Sequence, residues 1–412
     1  MSRRLAIILS ATVLACTPSG PETASTGGAI LEPREEPEAS TRDNAVIELQ
    51  GTEEELDLWK LRDASGDPAR EPGLIDLSRF QGRSAIPTFF GVPAAITPLD
   101  LVAGEVEVAI MGAAIDMGVG MRGAGEGPRA FRAASDSLGA VLPHMHVMVS
   151  WGQELTVADY GDAPIDNLST ERSVGPVRRM VREIAEAGAI PIIIGGDHSL
   201  EYPNVAGVTD VYGKGNVGVV HFDAHYDAGD IRNGHLISHA QPVRRLVEEG
   251  HVRGDQYIQV GLRGYWPGED GFNWMRENNL RYHTMVEIER DGWPPVVERV
   301  LNEANELAEH LYVSFDIDVL DPAYTPGTGT PEPGGLTTRE IFPIVRTLCS
   351  ENNLVGFDLV EFNPLVDPGY TTGLNAQRIV QECLTGIAMR KKGLDARHYL
   401  SPLTAGDGRR GE

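Results

Sequence analysis

Three short stretches carry the residues that could do chemistry. Gly195-Gly196-Asp197-His198-Ser199 follows the apolar run PIII, His221-Phe222-Asp223-Ala224-His225-Tyr226-Asp227 follows VGVV, and Ser314-Phe315-Asp316-Ile317-Asp318 follows LYV. Side chains alternate in direction along an extended chain, so Asp223, His225 and Asp227 share one side, as do Asp316 and Asp318. His221, just ahead of the triplet, is read as facing the other side and packing in the core. Asp197 is read as a partner that holds His198 in position. Carboxylates gathered at the ends of buried strands repel one another, and an unpaired buried charge costs several kcal/mol. Two divalent cations would neutralise four carboxylates. A carboxylate and imidazole donor set suits Mn, and also Zn, Fe or Ni. Two such ions roughly 3.5–4 Å apart can hold a hydroxide that is nucleophilic at neutral pH. A single DxH or DxD is an ordinary loop or cap feature; the weight lies in three such clusters at three strand ends.

The elements that must position these residues are visible in the hydrophobic pattern. VEVAIMG (106–112), IPIIIGG (190–196), VGVVHFDAH (217–225), YIQVGL (257–262), LYVSFDID (311–318) and LVGFDLVEF (354–362) are nearly continuous apolar runs. Such runs suit strands buried on both faces. The segments 174–188, 239–250, 285–310, 337–350 and 374–390 have helical spacing,. Alternation of the two predicts a three-layer α/β/α fold around a central parallel sheet. Sites in such folds lie beyond the carboxyl ends of the strands. A catalytic domain is expected over residues 85–400, with a short helix near Glu53–Leu61 ahead of it and a frayed polar tail over 401–412.

GGDHS, HFDAHYD and SFDIDVLDPAYTPGTGTPEPGGL resemble the signature motifs of the ureohydrolases, the arginase and agmatinase family. RGAGEGPRAFRAAS (122–135), IQVGLRGY (258–265) and VEFNP (360–364) extend the resemblance, in consistent order, from about Ile86 to Met389. GTGTPEPGGL is nearer the agmatinase-like branch than the arginases proper. The resemblance implies an arginase-like fold and two divalent metal ions, Mn²⁺ first, with Ni²⁺ or Zn²⁺ as alternatives. His198, Asp223, Asp227 and Asp316 would hold one ion. Asp223, His225, Asp316 and Asp318 would hold the other. His239 (in SHAQP) matches the family's proton shuttle, and Glu361 (in VEFNP) the carboxylate that orients the guanidinium. Ala240 departs from the family's usual Gly beside that histidine. The implied reaction is attack of a bridging hydroxide on a guanidinium carbon, with the leaving amine protonated through Asp318 or His239, to give urea and an amine. Homo-oligomers, trimers or hexamers, are implied as well.

The loop Ala228–Ser238 lies where the family meets the tail of its substrate. It lacks the Asn, Thr and Ser run that grips an amino acid head group, which argues against arginine. Asp230 could pair with a cationic tail such as agmatine's, and Arg232 with a carboxylate tail such as guanidinobutyrate's. Tyr265-Trp266 could cover the pocket or pack at a subunit contact. His144 and His146 are read as a polar loop rather than a metal pair. The rival readings are hydrolysis of another C–N amidine (free guanidine or a formimino compound), and a surface-tethered binding protein without activity.

The bulk composition agrees. The chain has 412 residues, with 35 basic against 60 acidic for a formal net charge of −25, and 41% hydrophobic residues. That charge disfavours nucleic acid and anionic membranes and tolerates a cationic substrate. Of the three cysteines, Cys349 and Cys383 sit in apolar helical patterns and read as small buried hydrophobes,. Arg3 and Arg4, the apolar run Leu5–Ala15 and Cys16 read as a signal peptide over 1–16 with a lipoprotein box,. The expectation is an exported, cell-envelope lipoprotein of a bacterium, lipidated at Cys16. Residues 17–84 then form a Pro-, Glu- and Ser-rich tether and an N-terminal extension,.

Overall fold

The computed structural model describes residues 49–62, 70–77, 86–135 and 138–405. The signal segment, Cys16 and most of the tether lie outside the described residues, as does the tail from 406 onward. The chain divides into two units, Met1–Glu55 and Leu56–Glu412. The short helix expected near Glu53 is present as Glu53–Leu56, followed by a 3₁₀ turn at Leu58–Leu61.

The second unit is built on eight strands: β1 Val108–Ala113, β2 Val157–Asp162, β3 Ile190–Gly195, β4 Val217–Phe222, β5 Tyr257–Leu262, β6 Arg281–Thr284, β7 His310–Asp316 and β8 Leu354–Val360. Every pairing is parallel, in the order β2-β1-β3-β8-β7-β4-β5-β6. The longer helices are α1 Gly127–Ala134, α2 Thr170–Glu186, α3 Glu201–Tyr212, α4 Pro242–Glu248, α5 Glu269–Glu277, α6 Met285–Asp291, α7 Trp293–Leu307, α8 Thr338–Glu351 and α9 Thr371–Lys391.

Strand side chains separate by parity into two cores. Ile110, Ile192, Ile194, Phe222, Phe315 and Phe357 pack with α1, α7, α8 and α9 on one face. Met111, Ile193, Val219 and Tyr312 pack with α2, α3, α4 and α5 on the other. The three-layer α/β/α expectation therefore holds. Two strands escape the hydrophobic pattern, and both are edges. β6 (RYHT) has only His283 buried, and β2 ends in an exposed Asp162. An edge strand lacks a neighbour on one side and tolerates polar residues.

The expected helix over 285–310 is two helices, α6 and α7, because Gly292 adopts φ +82° between them,. α3 was not legible, being buried on most of its circumference, from Glu201 and Pro203 through Thr209; it shows no polar stripe to mark the period. The tail is not frayed from its first residue. Ser401 is buried and its N–H donates to His146 O at 2.9 Å. Cys349 and Cys383 are free and buried, as expected of small apolar residues.

Candidate metal centre

Four neighbouring central strands, β3, β8, β7 and β4, end on one rim and deliver the site. After β3 the chain needs Gly196, because a Cβ there would sit 1.9 Å from Ile115 O. Asp197 then caps a 3₁₀ turn, His198–Leu200, by accepting from Ser199 N–H at 3.1 Å. Its other oxygen accepts from Met117 and Gly118 N–H at 2.6 and 2.8 Å. Asp197 thus holds His198 through the backbone, by starting the turn at that residue, and pins the loop at 117–118; it makes no contact with the ring. Beyond β4 and β8, Asp227 and Glu361 adopt left-handed backbone, φ +41° and +61°. Such conformations are uncommon outside glycine and cluster at functional sites.

All six expected ligand residues converge. His198 Nδ1 lies 2.9 Å from Asp223 Oδ2, 3.0 Å from Asp227 Oδ2 and 3.2 Å from Asp316 Oδ2. His225 Nδ1 lies 3.1 Å from Asp318 Oδ2 and 3.4 Å from Asp223 Oδ1. Asp223 thus turns one oxygen to each of two clusters. Every residue of the set except His225 is buried. His198 Nδ1 is buried without a hydrogen bond, although three carboxylate oxygens surround it. One N–H could serve one oxygen; four donor atoms facing a common centre are the arrangement a cation requires.

With protons alone to balance the charge, the site is in conflict. Burial, then Asp318 and Asp223, pushes Asp316 far above the carboxylate range, and burial with Asp223 raises Asp227. Burial opposes the charge on His225, but Asp318 and Asp223 raise its pKa strongly. Cations resolve this without protonating any ligand, so the donor set fits a pair of divalent ions.

Beneath the cage lies a layer of buried polar groups. His198 Nε2 is 3.0 Å from Ser314 Oγ, which donates to Asp358 Oδ1 at 2.8 Å. Asp358 also accepts from Tyr312 OH at 2.7 Å and Asn204 Nδ2 at 3.1 Å. His221 corrects the sequence reading. It has the same parity as Asp223, lies 3.0 Å from Asp223 Oδ2 through Nε2, and stacks on His198 with ring centroids 4.8 Å apart. Its Nδ1 is 3.1 Å from Glu201 Oε1, which Tyr257 OH also contacts. Sequence reasoning missed Glu201 and Asp358. Asp358 carried a signal, a carboxylate inside the doubly buried run LVGFDLV; Glu201, in a first helical turn, resembles an ordinary cap.

Above the cage, a cavity of about 520 Å³ is lined by Asp227, Asp316, His225, His239 and Glu361, with Asp230, Arg232 and Trp266 on its outer wall. His239 and Glu361 are buried together, Nδ1 to Oε1 at 3.1 Å. Burial raises the Glu361 pKa, and His239 opposes that rise. Burial disfavours charge on His239, yet Glu361 lifts its pKa to about 9. Against that, Val119 N–H donates to His239 Nε2 at 3.1 Å, which requires a lone pair there. While that bond is made the ring is neutral, with its proton on Nδ1 facing Glu361; breaking it frees the ring to take a second proton. Ala240 is buried on the cavity wall beside His239. His144 and His146 lie elsewhere. His144 is not a loop residue in water but is packed 3.2 Å from the buried Glu382.

A parallel three-layer fold with two interlocked carboxylate–imidazole clusters at the strand ends defines a class of hydrolase that works with two divalent cations. The chain belongs to the arginase family, whose model matches residues 106–386, and is a ureohydrolase. It is 34% identical to the mitochondrial guanidino acid hydrolase of Homo sapiens over 76% of this chain and 92% of that protein. It is 35% identical to the guanidinobutyrase of Pseudomonas aeruginosa over 75% of this chain and 93% of the relative. A crystal structure of a hypothetical agmatinase from Burkholderia thailandensis superposes with a TM-score of 0.67 at 28% identity, covering 76% of this chain and 93% of that one.

Proposed function

We propose that this chain hydrolyses a guanidino compound to urea and an amine, using two divalent cations, Mn²⁺ first among them. His198, Asp223, Asp227 and Asp316 would hold one ion, and Asp223, His225, Asp316 and Asp318 the other. The reading rests on the Asp223 carboxylate, whose two oxygens face His198 and His225 separately, at 2.9 and 3.4 Å. When bound, such a pair of cations supplies a water that ionises near neutral pH.

The chain's own residues do the rest. Glu361, buried on the cavity wall, accepts from the guanidinium N–H groups and orients the carbon toward the cage,. His239, in contact with Glu361, carries a proton toward the departing amine,.

The experiment is urea release from the full chain with Mn²⁺ or Ni²⁺ over a panel of guanidino compounds. Urea from at least one supports the reading; absence of urea from all, with metal bound, favours a binding protein. We also propose that the chain is exported and lipid-anchored at Cys16, on the strength of its N-terminal pattern, and assembles as a homo-oligomer, trimer or hexamer, as the family resemblance implies. Loss of labelled fatty acid from Cys16→Ala and the mass of the folded particle test these two points.

A further inference from the structure

The two charged side chains on the outer wall of the cavity are not equivalent. Asp230 has partners on one of its two oxygens. Its Oδ1 accepts from Ile231 N–H at 2.8 Å and lies 3.5 Å from Arg245 Nη2. Arg245 is itself fixed on α4 by Glu248, 2.9 Å away. Glu171, on α2, is paired with His235 at 2.6 Å. Arg232 differs: among the described residues its guanidinium has neither a hydrogen bond nor an ion pair, yet it lines the cavity.

Its backbone, in contrast, is held tightly. Arg232 N–H donates to His235 O at 3.1 Å and His235 N–H donates back to Arg232 O at 2.9 Å. The two residues between them, Asn233 and Gly234, have φ +52° and +87°. That is the two-residue hairpin turn with both central residues left-handed, for which Asn-Gly is the preferred pair. Gln241 clamps the hairpin by donating to His235 O at 3.0 Å, and also contacts Asp230 O. The hairpin fixes where the Arg232 side chain starts, and an anion can meet its guanidinium without breaking an existing ion pair.

We propose that Arg232 binds a carboxylate at the far end of the substrate, and that the enzyme prefers ω-guanidino acids to agmatine. This rests on the guanidine-hydrolase reading above. The inner end of the cavity, with Asp227, Asp316 and Glu361, suits the guanidinium. Tyr226 and Trp266, packed edge to face at 4.1 Å, and the buried Ala240 give an apolar wall for a short methylene spacer. At the outer end, agmatine would set its ammonium beside the unpaired Arg232 guanidinium, and beside an Asp230 that already has Arg245 3.5 Å from one oxygen. A carboxylate there makes a charge-assisted, bidentate pair.

The test is urea release from the Mn²⁺-loaded full chain with 3-guanidinopropionate, 4-guanidinobutyrate, arginine and agmatine. The expected result is a kcat/KM for at least one ω-guanidino acid about tenfold or more above that for agmatine. Arg232→Ala should remove that advantage through KM, by about tenfold, without weakening agmatine. Arg232→Glu should invert the order. Preference of the unmodified enzyme for agmatine, or an unchanged acid-to-agmatine ratio in Arg232→Ala, overturns the proposal while leaving the hydrolase reading intact. No urea from any of the four, with metal bound, overturns both.

Discussion

Asp223 meets two clusters at once, but it does not stand alone. His221 lies 3.0 Å from the same oxygen that faces His198, and Glu201 lies behind His221 at 3.1 Å. With a carboxylate acceptor at each ring nitrogen, both must carry a proton, so Glu201 helps keep His221 charged and a donor toward Asp223; burial opposes that charge, yet the two carboxylates lift its pKa to about 10,. Glu201→Leu and His221→Phe should each weaken metal binding about 10- to 100-fold. Glu201→Gln, which keeps an acceptor, should lose much less. Metal titration by calorimetry decides, and equal losses in Glu201→Gln and Glu201→Leu would show that the acceptor is irrelevant. His239 makes the opposite prediction. It touches Glu361 and Val119 but no ligand of the cage. His239→Ala should lower kcat about 10²- to 10⁴-fold with metal content unchanged; a metal-depleted variant would contradict its assignment. At this scale the ligand motifs were legible because types and spacing survive in the sequence. The layer beneath was not, since Glu201 and Asp358 gain meaning only from what folds against them.

Strands and helices explain which parts could be foreseen. The central strands declare themselves as apolar runs because both faces are covered, and they are the ones that carry the site. β2 and β6 at the margins, and α3 in the interior, break the patterns that a half-buried element shows. The far side of the molecule carries an element-level joint. Glu382 on α9, 1% exposed, meets Arg346 on α8, Arg378 one turn back, and His144. Burial alone would raise its pKa, but His144, Arg346 and Arg378 together hold it down to about 2. A carboxylate depressed in the folded state stabilises fully above its unfolded pKa, and that stability is lost as pH falls toward the folded value. From 4.5 to about 2 the difference is on the order of 3 kcal/mol,. Denaturant melts should therefore show the native chain losing its advantage over Glu382→Gln between pH 4.5 and 2. An advantage that persists at the acid end would contradict the joint.

Over the whole molecule, the net charge of −25 invites the inference of a cationic substrate. The local arrangement points elsewhere, because the cavity mouth presents an Arg232 without an ion pair, while Asp230 has Arg245 3.5 Å away. The two influences separate with salt. A guanidino acid is neutral overall and feels little of the long-range field, whereas agmatine is a dication drawn by it. For 4-guanidinobutyrate, kcat/KM should stay within about twofold as ionic strength rises to physiological values, while that for agmatine falls. A steep fall with the guanidino acid would mean that the global field, not the mouth of the cavity, governs binding.

The most direct test is to count ions. Metal-stripped protein equilibrated with Mn²⁺ and analysed for bound metal should hold about two per chain, and Asp223→Ala should retain almost none while remaining folded by circular dichroism. A native chain that saturates at one ion, or an Asp223→Ala variant that still binds two, would contradict the shared-carboxylate cage.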